Sequence, residues 1–498
     1  LNFIMEQNQV PQSFLCCISH NIMNDPWMDP EGNSYEKSQI ERWLGMNQTS
    51  PITRTPLSID MLRPNRALKD AIETFKRGYN KPSISEVSSG NSTDMTGIIP
   101  KCFSDNNLLM IEVDNPNGAT RMNIDLALVL DVSGSMQSEA KIKNSSGQNE
   151  SYGLCLLDIV KHAAKTIIKC LGSGDRLTII SYSTNAKVEL PLTIMDDANK
   201  EEAISRIKSL QPDASTNIWD ALNVGMNILD SNKGPNQRSL FLLTDGQPNI
   251  SPPRGEVEML KRFKDSHPNC CNINTYGFGY GVNSTLLSQL AEFGEGGYYM
   301  IPDSGFVGTI FEHSFANITT SFTSIVKLSI ENIGDNKIIS TGNTYKVLDL
   351  EWGKQITFSP LQFGQTKNFV IEFEKPLVNQ QVTVFLDFID YRDNKPFKIE
   401  LKNQQTTLDS INLHYLRSQI KPVIGNIVEI LKVNPENLAQ AQEILGKYVK
   451  MIKTYLVVFP DHYLSDFLKD LAGQTTLAIS SEEYYNRWGC HYLPSLML

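Results

Sequence analysis

The sequence predicts a multidomain α/β protein: a small α+β module, a doubly wound α/β domain, a β-sandwich and a C-terminal helical region. The 498 residues exceed what one core usually holds, since domains commonly span about 100 to 200 residues. Residues 80–97 lack any apolar period, which is typical of a linker. After them, strand-like and helix-like segments alternate, which predicts a parallel sheet wrapped by helices.

The composition is that of a globular protein with an excess of negative charge. Apolar residues make up 40% of the chain and charged residues 20%, which is enough for several cores. Asp and Glu outnumber Lys and Arg by 55 to 45, so the net charge is -10. We therefore expect no nucleic acid and no anionic membrane as the main partner. The longest apolar stretches are also too short to span a bilayer.

The cysteines and the first residues favour a cytoplasmic protein. The eight cysteines include two adjacent pairs, at Cys16 and Cys270, and do not resemble a disulfide framework. The first residues, "LNFIMEQNQV", lack the basic start and the sustained apolar stretch of a secretory signal, although a segment could precede Leu1. An extracellular adhesion protein is the less favoured alternative.

Residues 9–79 are predicted to form a small module. A turn around Gly32 leads into a helix with Ile40, Trp43 and Leu44 on one face, and "NRALKDAIETF" has the apolar spacing of a second helix. Modules of this size often need a metal ion or disulfides. This one has no C-x-x-C pair, so zinc is not expected and polar networks should replace it.

The segments "ISHNIMNDPWMDPEGNSYEKSQIERWL" and "SPITRTPLSIDMLRPNRALKDAI" resemble the U-box, the zinc-free relative of the RING finger. The resemblance covers the whole module. It implies that the module recruits a ubiquitin-conjugating enzyme that carries ubiquitin as a thioester. Ubiquitin would then pass directly to a substrate lysine, without a covalent intermediate on the ligase.

The resemblance also implies roles for individual residues. The positions that contact the conjugating enzyme are occupied by Ile18, His20, Trp43 and Pro51. Arg54 falls at the catalytic position, where the family's bridging arginine donates hydrogen bonds to the enzyme and ubiquitin together. His20 departs from the aromatic or aliphatic residue usual at its position. The affinity for the conjugating enzyme and the choice of that enzyme therefore do not follow from the resemblance. Trp43 could instead be a core residue, and Arg54 a solvated surface charge.

Residues 80–99 are predicted as the linker and residues 100–325 as the doubly wound domain with a preceding strand segment. Buried strands are predicted in "IDLALVLDV", "RLTIISYS", "SLFLLTDG" and "INTYGFGYG", with helices between them. Ligands of such sheets bind beyond the carboxyl ends of the strands. Polar residues that follow these strands are therefore the candidates for a binding site.

Five oxygen-bearing side chains lie at such positions: Asp131, Ser133, Ser135, Thr216 and Asp245. Their hydroxyl and carboxylate oxygens suit Mg²⁺ or Mn²⁺ better than zinc. With only two carboxylates, the ion would keep positive charge and an open position for an acidic side chain of a partner. The alternative is that "DVSGS" is only a tight turn.

The segments "DVSGS", "TN" at a helix start and "LLTDG" resemble the von Willebrand factor A (vWA) domain with its metal-ion-dependent adhesion site. The resemblance covers roughly residues 123–325 and implies a Rossmann-like fold. It also implies that Ser133, Ser135 and Thr216 bind the cation directly. The two aspartates would bind directly or through water.

Residues 326–410 are predicted as an antiparallel β-sandwich, because short alternating runs such as "QQVTVFLDFIDY" are broken by polar turns. Residues 411–498 return to helical periodicity. The segment "EEYYNRWGCHYLPSL" resembles the closing segment of proteins that join a vWA domain to a sandwich-and-helix region. Its aromatic residues are predicted as core anchors: Tyr484, Tyr485, Trp488 and Tyr492.

Together these features predict a U-box ubiquitin ligase whose vWA domain binds its substrate or partner through Mg²⁺ or Mn²⁺. The predicted partners are a ubiquitin-conjugating enzyme carrying ubiquitin and a protein with an acidic side chain for the metal. The alternative is a non-enzymatic intracellular scaffold in which the vWA domain binds proteins and the U-box is inactive.

Overall fold

The computed structural model divides the chain into two compact units, Leu1–Glu86 and Val87–Leu498. The residues that the structure describes are 14, 16–18, 23–45, 47–65, 68, 69, 72, 98–116, 121–143, 149–213, 215–232, 234, 236–267, 270–302, 304–323, 326–331, 335–342, 347–350, 352–358, 360–377, 382–392, 395–401, 403, 404 and 408–497. Both units contain helices and strands, which confirms the predicted mixed α/β class.

The first unit contains a small antiparallel sheet and a helix in its described part. Its elements are β1 (Pro26–Met28), β2 (Ser34–Glu36), α1 (Lys37–Leu44), a 3₁₀ turn (Ile59–Met61) and β3 (Arg63–Pro64). The strand order is β2-β1-β3. Helix α1 buries Ile40 and Leu44, which lie one turn apart on the predicted face. The second predicted helix lies mostly outside the described residues, although Ile72 is described and buried.

The second unit begins with an antiparallel hairpin, β4 (Ile99–Asp105) and β5 (Leu108–Asp114). Ile98, directly before β4, is only 3% exposed. The end of the predicted linker is therefore part of the fold, because Ile98 is buried and β4 starts at Ile99. The rest of the predicted linker, residues 80–97, lies outside the described residues.

A six-stranded sheet with flanking helices follows. In chain order the elements are β6 (Ile124–Asp131), a 3₁₀ turn (Gly134–Gln137), β7 (Glu139–Lys143), β8 (Asn149–Cys155), α2 (Leu156–Cys170), β9 (Arg176–Tyr182), β10 (Ala186–Ile194), α3 (Asp197–Ser209), α4 (Ile218–Ser231), β11 (Gln237–Thr244), α5 (Glu256–Ser266), β12 (Asn272–Phe278), α6 (Ser284–Phe293), β13 (Tyr298–Ile301), a 3₁₀ turn (Ser304–Phe306) and α7 (Val307–Thr320). The strand order is β10-β9-β6-β11-β12-β13, and only β10 runs antiparallel to its neighbour. Strands β7 and β8 form a separate hairpin, which the sequence did not predict.

Strand β6 is buried along its whole length, because helices cover both faces of the sheet. Leu126 and Leu128 belong to a core cluster that includes residues of α2, α3 and α7. Ala127 and Val129 belong to another cluster, with residues of α4, α5 and α6. Alternate side chains of a strand point to opposite faces, so the continuous apolar run in "IDLALVLD" fits a strand buried on both sides.

A β-sandwich of two five-stranded sheets comes next. Its further strands are β14 (Val326–Glu331), β15 (Ile338–Ser340), β16 (Val347–Leu350), β17 (Gly353–Phe358), β18 (Thr366–Phe373), β19 (Thr383–Asp390), β20 (Lys395–Leu401) and β21 (Asn403–Gln404). One sheet has the order β16-β17-β14-β19-β20 and the other β15-β18-β5-β4-β21. Ile111 and Ile371 of the second sheet share one core cluster with Leu328 and Leu386 of the first.

The hairpin β4–β5 therefore belongs to the sandwich, whereas we predicted it as a strand segment of the doubly wound domain. Strand β5 pairs antiparallel with β18, and Ile111 lies opposite Phe369. This pairing joins residues that are at least 252 positions apart in sequence, the separation of Asp114 and Thr366. Local periodicity identifies a strand but carries no information about so distant a partner. The doubly wound domain is thus inserted between strands of the sandwich.

The C-terminal region is helical. Its elements are α8 (Leu408–Ser418), α9 (Ile420–Val433), α10 (Leu438–Val458), α11 (His462–Asp470), a π-helical turn (Leu471–Thr475), α12 (Thr476–Ala478), α13 (Glu482–Tyr484), a second π-helical turn (Tyr485–Gly489) and α14 (Cys490–Met497). Helix α14 packs against α9 and also against α6 and β13 of the doubly wound domain. Within the described residues, no helix combines the length and the apolar character needed to cross a membrane.

The predicted aromatic anchors of this region differ in burial. Tyr485 is buried in the helical core, and Trp488 and Tyr492 are partly buried against it. Tyr484 is 38% exposed, so it is a surface residue and the prediction for it is wrong.

Candidate functional sites

One buried aspartate, Asp29, holds the turn of the N-terminal module. Asp29 is only 4% exposed to solvent. Its Oδ1 accepts hydrogen bonds from the backbone N–H groups of Glu31 and Asn33, at 3.0 and 2.9 Å. Its Oδ2 accepts from the hydroxyl of Tyr35 at 2.9 Å and from the amide of Asn33 at 3.1 Å. Four donors use nearly all the acceptor capacity of this carboxylate, which ties the turn to β2.

Tyr35 extends this polar network to the next loop. Its hydroxyl lies 3.1 Å from the hydroxyl of Ser50, which is also buried. The Ser50 oxygen accepts hydrogen bonds from the backbone N–H groups of Ile52 and Thr53, each at 3.3 Å. The backbone N–H of Arg54 donates to the carbonyl of Ser50 at 3.1 Å. The loop is therefore closed on a buried hydroxyl, as the predicted polar network requires.

Arg54 has an unusual backbone conformation in this loop. Its φ is 67°, in the left-handed region, and its side chain is exposed. A residue with a Cβ pays roughly 1 to 2 kcal/mol for that conformation. The hydrogen bond from the Ser50 N–H to the Thr55 carbonyl, at 2.8 Å, closes the loop around Arg54 and helps to impose it. The guanidinium is thus presented to solvent from a fixed backbone.

Three of the predicted contacts for a conjugating enzyme are half-buried: Ile18, Trp43 and Pro51. Ile18 and Trp43 pack against the same apolar core. The indole N–H of Trp43 donates to the carbonyl of Thr49 at 2.8 Å, which ties α1 to the loop that contains Pro51. Trp43 therefore packs against the core with part of its ring and exposes the rest at the surface. His20, the fourth predicted contact, lies outside the described residues.

Ile52 is an exposed apolar residue next to Pro51 that was not identified from the sequence. It is 50% exposed and lies between Pro51 and Arg54. Single exposed apolar residues are common on protein surfaces. The feature of the sequence that could have identified Ile52 is its position between the proline and the arginine in "SPITRTPL".

The cysteines of the module lack the features of a nucleophile. Cys16 is buried, and its sulfur accepts a hydrogen bond from the backbone N–H of Glu36 at 3.2 Å. Desolvation of the sulfur and the neighbouring Cys16 raise the pKa of the Cys17 thiol to about 11. A thiol with so high a pKa is protonated near neutral pH, whereas a reactive cysteine needs the thiolate.

The candidate metal site lies at the carboxyl edge of the six-stranded sheet. Asp131 is the last residue of β6, and Asp245 directly follows β11. The two strands are parallel neighbours, with Leu130 opposite Leu243, so their ends meet at one edge. Of the remaining candidates, Ser133 precedes the 3₁₀ turn that follows β6 and Ser135 lies within that turn. Thr216 lies shortly before α4.

Asp131 is buried, and both of its oxygens accept hydrogen bonds. Oδ1 accepts from the backbone N–H of Ser133 at 2.8 Å. Oδ2 accepts from the hydroxyls of Tyr182 and Thr244, at 3.1 and 2.5 Å. Burial and the nearby charge of Asp245 raise its pKa to about 6, against the opposing effect of these hydrogen bonds. These hydrogen bonds fix Asp131 and the loop that follows β6.

Tyr182 and Thr244 were not identified from the sequence. Each is the last residue of a strand that neighbours β6 in the sheet. They end the runs "RLTIISY" and "SLFLLT", so they lie level with Asp131 in the sheet. This position at the strand end is the feature of the sequence that could have identified them. Both residues were predicted only as parts of buried strands, where a hydroxyl has no evident role.

The two serines meet in the loop after β6. The hydroxyls of Ser133 and Ser135 lie 3.0 Å apart. Ser133 is 1% exposed, whereas Ser135 is exposed. The backbone N–H of Asp213 donates to the carbonyl of Val132 at 2.6 Å, which fastens this loop to the segment before Thr216. The loop therefore has one buried and one accessible hydroxyl.

Thr216 is buried and is joined to the segment after Asp245. Its backbone N–H donates to the side-chain oxygen of Asn249 at 2.8 Å, and its carbonyl accepts from the backbone N–H groups of Asn249 and Ile250, both at 3.1 Å. Asn249 was not identified from the sequence. These bonds fasten the Thr216 loop to the Asp245 loop.

Asp245 has an unsatisfied oxygen. It is 7% exposed, and within the described residues its Oδ1 is buried without a hydrogen-bond partner. Leaving a buried acceptor unpaired costs roughly 1 to 3 kcal/mol, and a cation would remove that cost. The described residues contain no cluster of three or more His, Cys, Asp and Glu, so a site here depends on hydroxyls. The hard oxygen donors fit Mg²⁺ or Mn²⁺.

Comparison with protein families agrees with these two regions. The family model for the U-box domain matches residues 10–81, and that for the von Willebrand factor type A domain matches residues 126–247. A third family, described as VWA / Hh protein intein-like, matches residues 461–498. The chain therefore contains a U-box and a vWA domain, and the predicted resemblances are confirmed.

Two curated relatives resemble the chain over the U-box. "WD repeat, SAM and U-box domain-containing protein 1" of Danio rerio is 45% identical over 73 residues, which cover 14% of this chain and 15% of the relative. "Putative U-box domain-containing protein 58" of Arabidopsis thaliana is 47% identical over 70 residues, or 14% of this chain and 17% of the relative. The chain thus spans less than a fifth of these relatives, and the similarity concerns one module.

Two solved structures share the fold over most of the chain. The von Willebrand factor type A protein from Catenulispora acidiphila has a TM-score of 0.52 at 14% identity and covers 72% of this chain and 86% of its own. The ArnB paralog VWA2 from Sulfolobus acidocaldarius has a TM-score of 0.51 at 14% identity and covers 79% of this chain and 99% of its own. At this identity the similarity concerns the fold alone.

Proposed function

We propose that the protein is an intracellular U-box ubiquitin ligase that recruits a ubiquitin-conjugating enzyme and binds a protein partner through a metal-dependent vWA domain. The observation that carries the ligase proposal is the loop closed on Ser50. Buried hydrogen bonds hold the exposed Arg54 in a left-handed conformation, three residues after Pro51. A strained backbone with an exposed cationic side chain is typical of a functional position.

In this proposal the ligase holds the charged conjugating enzyme in a reactive geometry. Ile18, Trp43 and Pro51 supply apolar docking surface, with Ile52 beside them. The guanidinium of Arg54 donates charge-assisted hydrogen bonds to carbonyl oxygens of the enzyme and of ubiquitin, which restricts the mobile conjugate. The amine of a substrate lysine attacks the thioester carbonyl, an isopeptide bond forms, and the thiol of the conjugating enzyme leaves. The protonated thiol of Cys17 takes no part.

The ligase proposal is tested by discharge of a preloaded conjugating enzyme onto free lysine, with a panel of such enzymes. Ile18→Ala should weaken docking by over about 1 kcal/mol, since buried anchors carry most binding energy. Arg54→Ala should slow discharge by at least about tenfold while docking affinity stays near wild type, because charge-assisted hydrogen bonds are worth about 1.5 to 3 kcal/mol. Arg42→Ala, which removes an exposed arginine of α1, is the matched control.

Three results would contradict this mechanism. Full activity of Ile18→Ala would remove the proposed docking surface. An equal loss of docking and discharge in Arg54→Ala would make Arg54 a docking or folding residue. A thioester between ubiquitin and Cys16 or Cys17 would indicate a covalent ligase intermediate.

For the vWA domain we propose Mg²⁺ or Mn²⁺ held by Ser133, Ser135 and Thr216, with Asp131 and Asp245 binding directly or through water. The unpartnered buried oxygen of Asp245 is the observation that supports this assignment. When bound, the ion would supply a positive charge that accepts an acidic side chain of the protein partner. Hydrogen bonds within the chain position these residues. Tyr182 and Thr244 donate to Asp131, and the backbone N–H of Thr216 donates to Asn249.

The second candidate function is a non-enzymatic scaffold with an inactive U-box. The unusual residue at position 20, a histidine in this sequence, is what favours it. Self-ubiquitination with the same panel of conjugating enzymes separates the two functions. Activity with any member that is lost in Ile18→Ala supports the ligase. No conjugates with any member, while partner binding depends on metal, supports the scaffold.

A further inference from the structure

A buried histidine of the C-terminal helix reaches into the vWA domain. His491, in α14, is 7% exposed. Its Nδ1 lies 2.6 Å from the hydroxyl of Ser284 at the start of α6, and its Nε2 lies 3.0 Å from the backbone carbonyl of Tyr280. The hydroxyl of Tyr298 lies 2.6 Å from the same Ser284 oxygen. One side chain thus bonds Ser284 and Tyr280, which are 207 and 211 residues away in sequence.

The direction of these hydrogen bonds is fixed by chemistry. The carbonyl of Tyr280 can only accept, so Nε2 of His491 carries the proton and donates. Burial lowers the pKa of His491, which favours the neutral ring with an accepting Nδ1. The hydroxyl of Ser284 therefore donates to Nδ1, and the hydroxyl of Tyr298 donates to the Ser284 oxygen. Every member of this buried chain of groups is satisfied.

A serine beside a histidine can form a nucleophile and its base, but this pair is enclosed. Ser284 is 4% exposed, and the second nitrogen of His491 bonds a backbone carbonyl instead of a carboxylate. A substrate has no access to the hydroxyl. The arrangement is therefore one that positions the backbone at Tyr280.

The loop at Tyr280 also contacts the loop that carries Asp245. The side-chain amide of Gln247 donates to the carbonyl of Gly281. A Cβ at Gly246 would lie 3.0 Å from Val282 and 3.2 Å from the backbone nitrogen of Asn283, so the two loops touch. Gly246 has a φ of 75°, which suits glycine and allows this close approach. Residues 279–283 thus lie between His491 and Asp245.

We propose that His491 is a positioning residue for the metal site, and that the C-terminal helix sets the position of Asp245 through the 279–283 loop. The inference rests on the proposed metal-binding function of the vWA domain. In physical terms, the donor on Nε2 fixes the Tyr280 carbonyl, and the loop holds Gly246 and Gln247 against it. Asp245 directly precedes Gly246 in the chain. The C-terminal segment is then a structural part of the metal site.

Two variants separate this role from simple packing. His491→Gln can place an amide N–H near the position of Nε2 and keep the bond to Tyr280, while it loses the acceptor for Ser284. His491→Asn can keep an acceptor near Nδ1 for Ser284 but is too short to reach Tyr280. Both remove one hydrogen bond of the pair, so a merely structural role predicts similar effects. His462→Asn, at a histidine whose side chain is 84% exposed, is the control.

The experiment measures Mn²⁺ affinity of the full chain by calorimetry and hydrogen exchange of the metal-free protein at residues 243–250 and 279–284. We expect His491→Asn to weaken Mn²⁺ by about tenfold or more, as loss of a partner that orients a metal ligand does. We expect His491→Gln to stay close to wild type. Exchange in both segments should be faster in His491→Asn than in His491→Gln.

The outcomes distinguish the inference from the proposed function. If the wild type binds no Mn²⁺, the metal proposal fails, and the exchange data alone decide the positioning role. If the wild type binds Mn²⁺ and the two His491 variants match each other in affinity and exchange, the positioning role is wrong and the metal site stands. Should His491→Asn not fold, Gln247→Ala breaks the same path at an exposed residue. Wild-type affinity and exchange in that variant overturn the inference.

Discussion

Two buried aspartates, one in the U-box and one in the vWA domain, have opposite surroundings. Asp29 is 4% exposed and accepts hydrogen bonds from Glu31, Asn33 and Tyr35. Asp245 is 7% exposed, and its Oδ1 has no partner within the part of the chain that the structure describes. The burial of the two residues is similar. What differs is whether the chain itself supplies the donors.

This difference separates a structural carboxylate from one that is free to bind a ligand. A buried carboxylate with all its acceptor sites used is fixed in place and cannot bind anything further. A buried carboxylate with an unused oxygen carries a cost in the free protein that a cation can remove. The two residues should therefore respond oppositely to mutation and to metal.

The largest effect is expected for Asp29→Ala. Its four hydrogen-bond donors would lose their acceptor, at roughly 1 to 3 kcal/mol for each one left buried and unpaired. A module with only a few kcal/mol of stability should then unfold. Hydrogen exchange at residues 26–57 of the full chain should become fast, and discharge activity should disappear. Asp60→Ala, at an exposed aspartate, is the control. Retained protection in Asp29→Ala would mean that the network is not structural.

The opposite result is expected for Asp245→Ala. Mn²⁺ affinity, measured by calorimetry, should fall by at least about tenfold, while the metal-free vWA domain should keep or gain up to about 1 to 3 kcal/mol of unfolding free energy, because an unpaired buried oxygen is removed. Urea unfolding in the presence of a chelator measures the second quantity. Asp197→Ala, at an exposed aspartate of α3, is the control. A strong destabilisation of the metal-free domain would make Asp245 structural like Asp29.

Removal of metal from the wild type sharpens the same comparison. At a Mn²⁺ concentration of 100 times Kd, binding should stabilise the vWA domain by about 2.7 kcal/mol. A chelator should abolish this difference. At the same Mn²⁺ concentration, binding should stabilise Asp245→Ala by about 1.4 kcal/mol or less, because its Kd is at least about tenfold weaker. Discharge of a preloaded conjugating enzyme onto lysine should be unchanged by the chelator, since no metal is proposed in the U-box. Loss of discharge on chelation would contradict that separation.

The smallest effect is expected for Tyr182→Phe. The variant removes one donor to Oδ2 of Asp131, which keeps the hydroxyl of Thr244. We expect a loss of about 1 kcal/mol in unfolding free energy, the usual net value of one hydrogen bond. Mn²⁺ affinity should change less than in Asp245→Ala. A larger loss of affinity than in Asp245→Ala would mean that Asp131, and not Asp245, is the main carboxylate of the site.

The sequence was most informative where a rule of topology converts order along the chain into proximity. Asp131 and Asp245 follow apolar runs, and the ends of parallel strands meet at one edge of the sheet. That rule predicts from the sequence alone that the two aspartates lie close together. It could not indicate which oxygens are already satisfied, because the donors Tyr182 and Thr244 belong to other strands.

The sequence was least informative about partners that are distant along the chain. The sequence predicted a strand before the doubly wound domain but could not predict that β5 pairs with β18. The hairpin was therefore assigned to the wrong domain. The contacts of His491 with Ser284 and Tyr280 were not predicted, because they depend on how α14 docks. In the N-terminal module a turn around Gly32 and polar networks were predicted, but the sequence did not indicate that Asp29 is the acceptor at their centre.

The insertion of the vWA domain into the sandwich has a consequence for synthesis on the ribosome. The β4–β5 hairpin emerges early, but β18 follows only after the 252 positions that separate Asp114 from Thr366. At about 5 to 20 residues per second, the edge of β5 waits on the order of tens of seconds for its partner. During that time the vWA domain has its whole sequence available and can fold, while the unpaired strand edge remains open to other chains.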